Sequence, residues 1–236
     1  MDRPSPLYRS PVHRILQEAG AEFAEVNGYA IATSVGDLEP QVSSTQKLSL
    51  CDLSGLARMG VKGVGISQWL SAQQLSVPTA PNRALRQDDG SLIAMLADNE
   101  ALVLEGLEQK GACVEQLTSA FQSARELPGS PEGLVVPRQH GQAWFRMTGR
   151  ELGATLAKLC GVDLRPASFD NMQVAQTSVA RLNAIVIRDD LADTPAFHML
   201  ADSASAAYLW ECILDAGAEF DICVVGMQAL QKLNLS

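Results

Sequence analysis

The spacing of apolar residues along this chain switches between a period of two and a period near 3.6, and each switch marks an element. Ala57 to Val61 reads as a short strand ending at Lys62-Gly63, and Ile66, Trp69 and Leu70 then fall at i, i+3 and i+4 of a helix. Leu92 to Leu96 and Ala101 to Leu104 are strand-like and flank the turn pair Asp98-Asn99, which predicts a hairpin. Val114, Leu117, Phe121 and Ala124 trace one face of a second helix that Pro128-Gly129 would stop, and Leu134 to Val136 follows as a strand.

A second stretch repeats this grammar. Ala143 to Met147 predicts a strand ending at Gly149, after which Thr148 and Glu151 fit a capping box, Leu152, Leu156 and Leu159 give a stripe, and Gly161 suits a left-handed stop. Strands are expected at Val174 to Ile187 and Ala196 to Leu200. Asp202 or Ser203 can cap a helix carrying Leu209, Trp210, Ile213 and Leu214, which Gly217 ends before a strand from Phe220 to Val225. Gly63 and Gly149 stand as far apart as Leu134 and Phe220, so the pattern predicts a tandem duplication. The expected fold class is α+β: two tandem β-α-β-β-α-β, ferredoxin-like halves, about 46–137 and 138–236, forming one domain. Residues 1–45, punctuated by Pro4, Pro6 and Pro11, with a short amphipathic piece at Ile15-Leu16 and then Ser43-Ser44-Thr45, read as an extended N-terminal arm.

At 236 residues and 47% hydrophobic, the chain has enough apolar side chains for a sizeable core. It has neither an apolar run long enough for a membrane span nor the apolar stretch of a secretory signal near its start, so the expected location is the cytoplasm. A formal charge of −9 opposes phosphate backbones and argues against nucleic acid. Cys51, Cys113, Cys160, Cys212 and Cys223 contain no C-x-x-C pair, and His13, His140 and His198 are scattered, so neither type spells a metal site. Nucleotide-loop, zinc-protease and nucleophile-elbow motifs are absent, and Gly60, Gly63 and Gly65 read as tight turns. Asp88 and Asp89 are the most tempting acids, because adjacent carboxylates can position or protonate an amine, yet Asp89-Gly90 is also a strong turn pair. Asp189-Asp190, leading into Thr194-Pro195, reads as a solvated loop. No residue is assigned a catalytic, cofactor-binding or metal role.

The segment from Leu50 to Gly63, with Asp52-x-Ser54 before a glycine-ended strand and a helix, resembles the opening motif of the folate-binding aminomethyltransferase family. Ala207 to Phe220 resembles its later helix and the strand after it. Arg9-Ser-Pro-Val-His13, Leu96 to Leu104, Cys160 to Phe169 and Val174 to Arg181 together resemble, more narrowly, the gamma subunits of heterotetrameric sarcosine oxidases. That resemblance implies a noncatalytic subunit packed against alpha, beta and delta partners, with FAD, FMN, NAD and tetrahydrofolate held by those partners. It also implies oxidative demethylation of sarcosine or a related N-methyl amino acid by the complex. Departures from the aminomethyltransferase pattern accompany it. Asn82 leads to Arg86-Gln-Asp-Asp-Gly90 without the family's Gly-Gly segment before its catalytic acid, and Met227 to Leu233 replaces an expected Arg and Leu-Arg-Leu-Glu run. Full aminomethyltransferases also continue past the position of Gly226 into a small barrel that is not expected here. The alternative reading is a self-sufficient tetrahydrofolate-dependent transferase with Asp88 or Asp89 as the acid, and a folate-sensing protein of the same superfamily is a third.

Overall fold

The computed structural model describes residues 7–108, 113–124 and 132–235. In chain order the elements are β1 (Tyr8–Arg9), α1 (His13–Glu18), β2 (Ala21–Val26), β3 (Tyr29–Val35), α2 (Leu38–Lys47) and β4 (Ser49–Asp52). There follow β5 (Arg58–Val64), α3 (Ile66–Ala72), β6 (Arg83–Arg86), β7 (Leu92–Ala97), β8 (Glu100–Leu104), α4 (Cys113–Ala124) and β9 (Glu132–Pro137). The remainder is β10 (Gln142–Thr148), α5 (Leu152–Ala157), β11 (Val174–Val179), β12 (Leu182–Arg188), β13 (Ala196–Asp202), α6 (Ala206–Gly217), β14 (Cys223–Val224) and α7 (Met227–Asn234). The fold is mixed α+β.

Two compact units divide these elements: one of Met1–Leu56, Gln142–Asn171 and Thr177–Ser236, the other of Ala57–Gly141 and Met172–Gln176. The second unit centres on a five-stranded sheet in the order β6-β7-β8-β5-β9. Met59, Val61, Ile93, Met95 and Val103 face Ile66, Trp69 and Leu70 of α3 and Val114, Leu117 and Phe121 of α4, the stripes their spacing predicts. Trp69 meets Phe121 edge-on, with ring centroids 5.1 Å apart. At about 1.5–3 kcal/mol per fully buried large side chain, these helix faces are main contributors to the core.

The first unit holds a three-stranded sheet, β1-β3-β2, and all but the start of β11 in a six-stranded sheet of order β11-β12-β13-β10-β4-β14. Strand for strand the six-stranded sheet matches that of the second unit, each half carrying one strand more than expected after its first helix, except that β4 is inserted between β10 and β14. β10 is buried on both faces, and its Phe145 packs at 5.0 Å against Trp210 of α6. Gly63 and Gly149 occupy similar places, Gly63 as the last residue but one of β5 and Gly149 directly after β10. Both have φ in the left-handed range (153° and 123°), and a Cβ there would lie 2.0 Å from the Glu132 carbonyl or 2.2 Å from that of Lys47. Only glycine fits.

Several elements differ from expectation. Residues Ala21–Val35, read as part of an extended arm, form a hairpin whose two-residue turn Asn27-Gly28 takes φ of 49° and 81°, and Leu38–Lys47 is helical. The capping box does not form: Thr148 Oγ1 donates to the Thr45 carbonyl at 2.8 Å and hydrogen-bonds Ser49 Oγ at 2.7 Å, while α5 starts at Leu152 without a side-chain cap. Tertiary partners outcompete the local one. Gly161 lies outside the left-handed region, since α5 already closes at Ala157. The expected strand from Val174 to Ile187 is a hairpin, and the strand expected from Phe220 shrinks to Cys223–Val224 behind a 3-10 turn, Ala218–Phe220, that ends on left-handed Asp221. Asp202 caps only the 3-10 turn Ser203–Ser205, accepting from Ala204 N at 2.8 Å, and α6 behind it starts at Ala206 without a side-chain cap. The Pro128-Gly129 stop lies outside the described residues.

The β11–β12 turn places Ala180 (φ 47°) and Arg181 (φ 66°) in the left-handed region, where a two-residue turn prefers Asn-Gly. Replacing the pair (Ala180→Asn with Arg181→Gly) is expected to stabilise the protein by roughly 1 kcal/mol by relieving that strain. Urea unfolding of the variant against the parent measures it.

Candidate functional site

The first unit's sheet carries a charge cluster that the sequence reading missed. Arg146 sits in mid-β10, in register with His198 of β13 on one side and Cys51 of β4 on the other. All of Arg146, Asp189 and His198 are buried, at 1%, 5% and 6% exposure. Arg146 Nη1 donates to Asp189 Oδ2 at 3.0 Å, and Nη2 donates to the Asp189 carbonyl. Trp144 Nε1–H donates to His198 Nδ1 at 3.0 Å. An indole nitrogen only donates, so Nδ1 is the acceptor in that bond. His198 Nε2 lies 2.9 Å from Asp189 Oδ2 and also contacts Arg146 Nη1. Asp189 is therefore not in a solvated loop, as its Asp-Asp sequence suggests. The Arg146 cation, on β10 across the intervening β13, draws it inside. Asp190 is tied as well, accepting from Arg188 Nε at 3.0 Å and Nη2 at 2.6 Å.

Around this cluster the Asp52-x-Ser54 motif makes a turn that locks β4 to β10. Asp52 Oδ1 accepts from Ser54 N at 3.0 Å, and Ser54 Oγ accepts from Trp144 N at 2.9 Å. Burial pushes the Cys51 thiol well above its ordinary range, and the Asp52 carboxylate adds to that. Such a thiol is no nucleophile at neutral pH. His13 packs against Phe23 at a 45° tilt with centroids 4.3 Å apart, and burial, reinforced by Arg9 and opposed by Asp52, lowers its pKa.

Asp88 and Asp89 lie in the second unit. Gly90 N–H donates to the Gln87 carbonyl at 2.9 Å with Gly90 at φ 86°, and Asp89 Oδ1 accepts from Ser91 N at 2.9 Å and Ser91 Oγ at 2.6 Å. Asp89 thus holds the turn its sequence predicts, while Asp88 is exposed. Cys113 stands close enough that the Asp89 and Glu105 carboxylates add to burial in raising its thiol pKa. Among the described residues, no group of three or more His, Cys, Asp or Glu side chains is arranged to hold a metal ion, and no helix is long and apolar enough to cross a membrane.

The profile of the GCVT N-terminal domain matches residues 12–236. This chain belongs to that family. Its relatives include the aminomethyltransferases of Chloroherpeton thalassium, 21% identical over 96% of this chain, and Geobacillus kaustophilus, 23% identical over 97%. The chain spans 63% and 64% of the length of those proteins. Among solved structures, the GCVT-family fold is shared with the glycine cleavage system aminomethyltransferase T of Bartonella henselae, at a TM-score of 0.72 and 17% identity, covering 97% of this chain and 62% of that one. It is also shared with a chain of the heterotetrameric sarcosine oxidase of Corynebacterium sp. U-96, at 0.65 and 18%, covering 92% of this chain and 97% of that one. The α+β fold is thus aminomethyltransferase-like.

Removing one member of a buried ion pair leaves the other uncompensated, at a cost of about 3–5 kcal/mol. Arg146→Met and Asp189→Ala are each expected to lose that much in urea unfolding. A second expectation concerns pH. His13 is harder to protonate folded than unfolded, so its contribution is complete above the ordinary value near 6.5 and is lost as pH falls below it. Unfolding free energies between pH 7.5 and 5 should decline, and His13→Gln should flatten the decline.

Proposed function

We propose that this chain is a noncatalytic accessory subunit of a cytoplasmic, sarcosine oxidase-like flavoenzyme complex that oxidatively demethylates sarcosine or a related N-methyl amino acid. The chemistry of such a complex is hydride removal from the N-methyl group followed by one-carbon transfer to tetrahydrofolate, with FAD, FMN, NAD and tetrahydrofolate all on the alpha, beta and delta partners. The observation that carries this reading is the use to which the acids are put. Asp89, one of the two acids in the segment where the aminomethyltransferase pattern has its catalytic one, is committed through Oδ1 to Ser91. Asp189 is committed to Arg146 and His198. A carboxyl group engaged this way is badly placed to trade protons with a bound amine. The match over 97% of a chain of a heterotetrameric sarcosine oxidase supports the same reading.

A self-sufficient tetrahydrofolate-dependent one-carbon transferase is the second reading, favoured by the alignment with aminomethyltransferases over nearly the whole chain. Exposed Asp88 is the acid left to it, since Asp89 does not fit the role of proton donor to tetrahydrofolate.

Coexpression with the neighbouring genes is expected to recover a flavin-coloured complex containing this chain. Tetrahydrofolate titrated onto the isolated chain, followed by calorimetry, is expected to give no binding in the low micromolar range. Micromolar binding with turnover abolished by Asp88→Asn would establish the transferase instead.

A further inference from the structure

The outer edge of β9 is open: β5 is its neighbour on one side, and no described strand pairs with the other. The six-stranded sheet of the same chain has one strand more on this side, with β4 next to β10 and β14 paired to the far edge of β4. The backbone groups available on the open edge can be worked out. Alternate residues of an antiparallel strand turn both their backbone groups to the same side. Gly63 N–H donates to the Asn99 carbonyl at 2.8 Å and the Ala57 carbonyl accepts from Glu105 N at 3.0 Å, so the odd-numbered residues of β5 face β8. The even-numbered ones face β9, where Val136, Leu134 and Glu132 are in register with Gly60, Lys62 and Val64. Gly133, Val135 and Pro137 therefore turn their backbone groups outward. Proline, which has no N–H, stands where a donor would otherwise go unpaired.

The side chains beside this edge form a band. Val135 packs on the helix-covered core, so Glu132, Leu134, Val136 and Arg138 share the opposite face. Leu134 is 52% exposed and Val64, beside it on that face, 71%. We propose that β9 pairs antiparallel with β9 of a second copy of this chain, with Val135 on the two-fold axis. In that register the two Val135 residues exchange hydrogen bonds, and each Gly133 N–H reaches a Pro137 carbonyl, so every outward donor of the strand is paired. Leu134 lies opposite Val136 of the other copy. Glu132 lies opposite Arg138, and the same charge pair recurs on the other side of the axis. Shifting the axis by one residue either way sets Glu132 against Val136 or against His140, so charge complementarity selects this register. Arg138 now donates through Nη2 to Glu100 at 2.7 Å, and Glu100 also holds Lys62 at 2.9 Å, so Glu100 keeps a cation when Arg138 turns outward. The inference is independent of the proposed function.

Sedimentation velocity of the full chain over a range of concentrations, alone or in its purified complex, is expected to show the mass of two copies. Leu134→Glu, at an exposed position next to Lys62, should return one copy while leaving the circular dichroism and melting unchanged. Glu132→Arg should weaken the dimer by about tenfold, because like charges then meet on both sides of the axis, and Glu132→Arg with Arg138→Glu should restore it. Leu134→Cys combined with Val136→Cys should give an oxidised dimer on non-reducing gels of whole-cell extract that neither single variant gives. A single copy at every concentration without that cross-link overturns the proposal. So does a dimer indifferent to these substitutions, or a different protein cross-linked at Leu134→Cys.

Discussion

A guanidinium in the middle of a strand buried on both faces can exist only if its counter-charge is folded in with it. Arg146 is in that position, and its pairing with Asp189 sets constraints beyond one ion pair. Asp189 follows β12 directly, so the pair fixes how far β12 runs. His198 must present Nε2 to the same carboxylate, which fixes β13 against β10, and Trp144 must reach Nδ1, which fixes the ring. A one-residue slip of any of these strands would send the polar group to the opposite face and leave the charge unmatched. The cluster therefore specifies register at a cost in desolvation that hydrophobic side chains would not incur.

Legibility in the sequence followed the range of the interactions. Helices α3, α4 and α6 were readable because their stripes are local, and Ile66, Trp69, Leu117, Phe121 and Trp210 are buried as the spacing requires. The turn at Asp89-Gly90 was readable for the same reason. Asn27-Gly28 carries an equally strong hairpin signal, but the prolines and polar residues around it masked the hairpin. The capping box at Thr148 was a local signal overridden from a distance, by Thr45 and Ser49, about a hundred positions away. Asp189 was illegible in principle, since an Asp-Asp pair before Thr-Pro looks solvated until β10 brings Arg146 beside it. The insertion of β4 between β10 and β14 also has no signal in spacing. It is what makes the two sheets differ although their elements follow in the same order.

The candidate chemistry was read in the same way, with mixed success. The reading weighed Asp88 and Asp89 as acids and preferred the turn, and the Ser91 bonds to Asp89 agree with that preference. It saw in His198 only a scattered histidine, whereas the folded chain holds the ring between Trp144 and Asp189. Spacing alone could not reveal that its partner is a buried carboxylate, because residues on different strands meet only through the sheet.

Glu105 extends the argument to the second unit. It is 6% exposed, a position where a carboxylate is costly unless it is hydrogen-bonded. Its Oε1 accepts from Cys113 N at 3.4 Å and its Oε2 from Val114 N at 3.2 Å, at the start of α4. A negative charge there meets both the orphan donors and the positive end of the helix dipole. The same carboxylate, with burial and Asp89, keeps the Cys113 thiol protonated, so the one cysteine at a helix start is held away from reactivity. The buried carboxylates Asp52, Asp189 and Glu105 thus each bind backbone or a cation of their own unit. These three side chains join strand to strand and strand to helix.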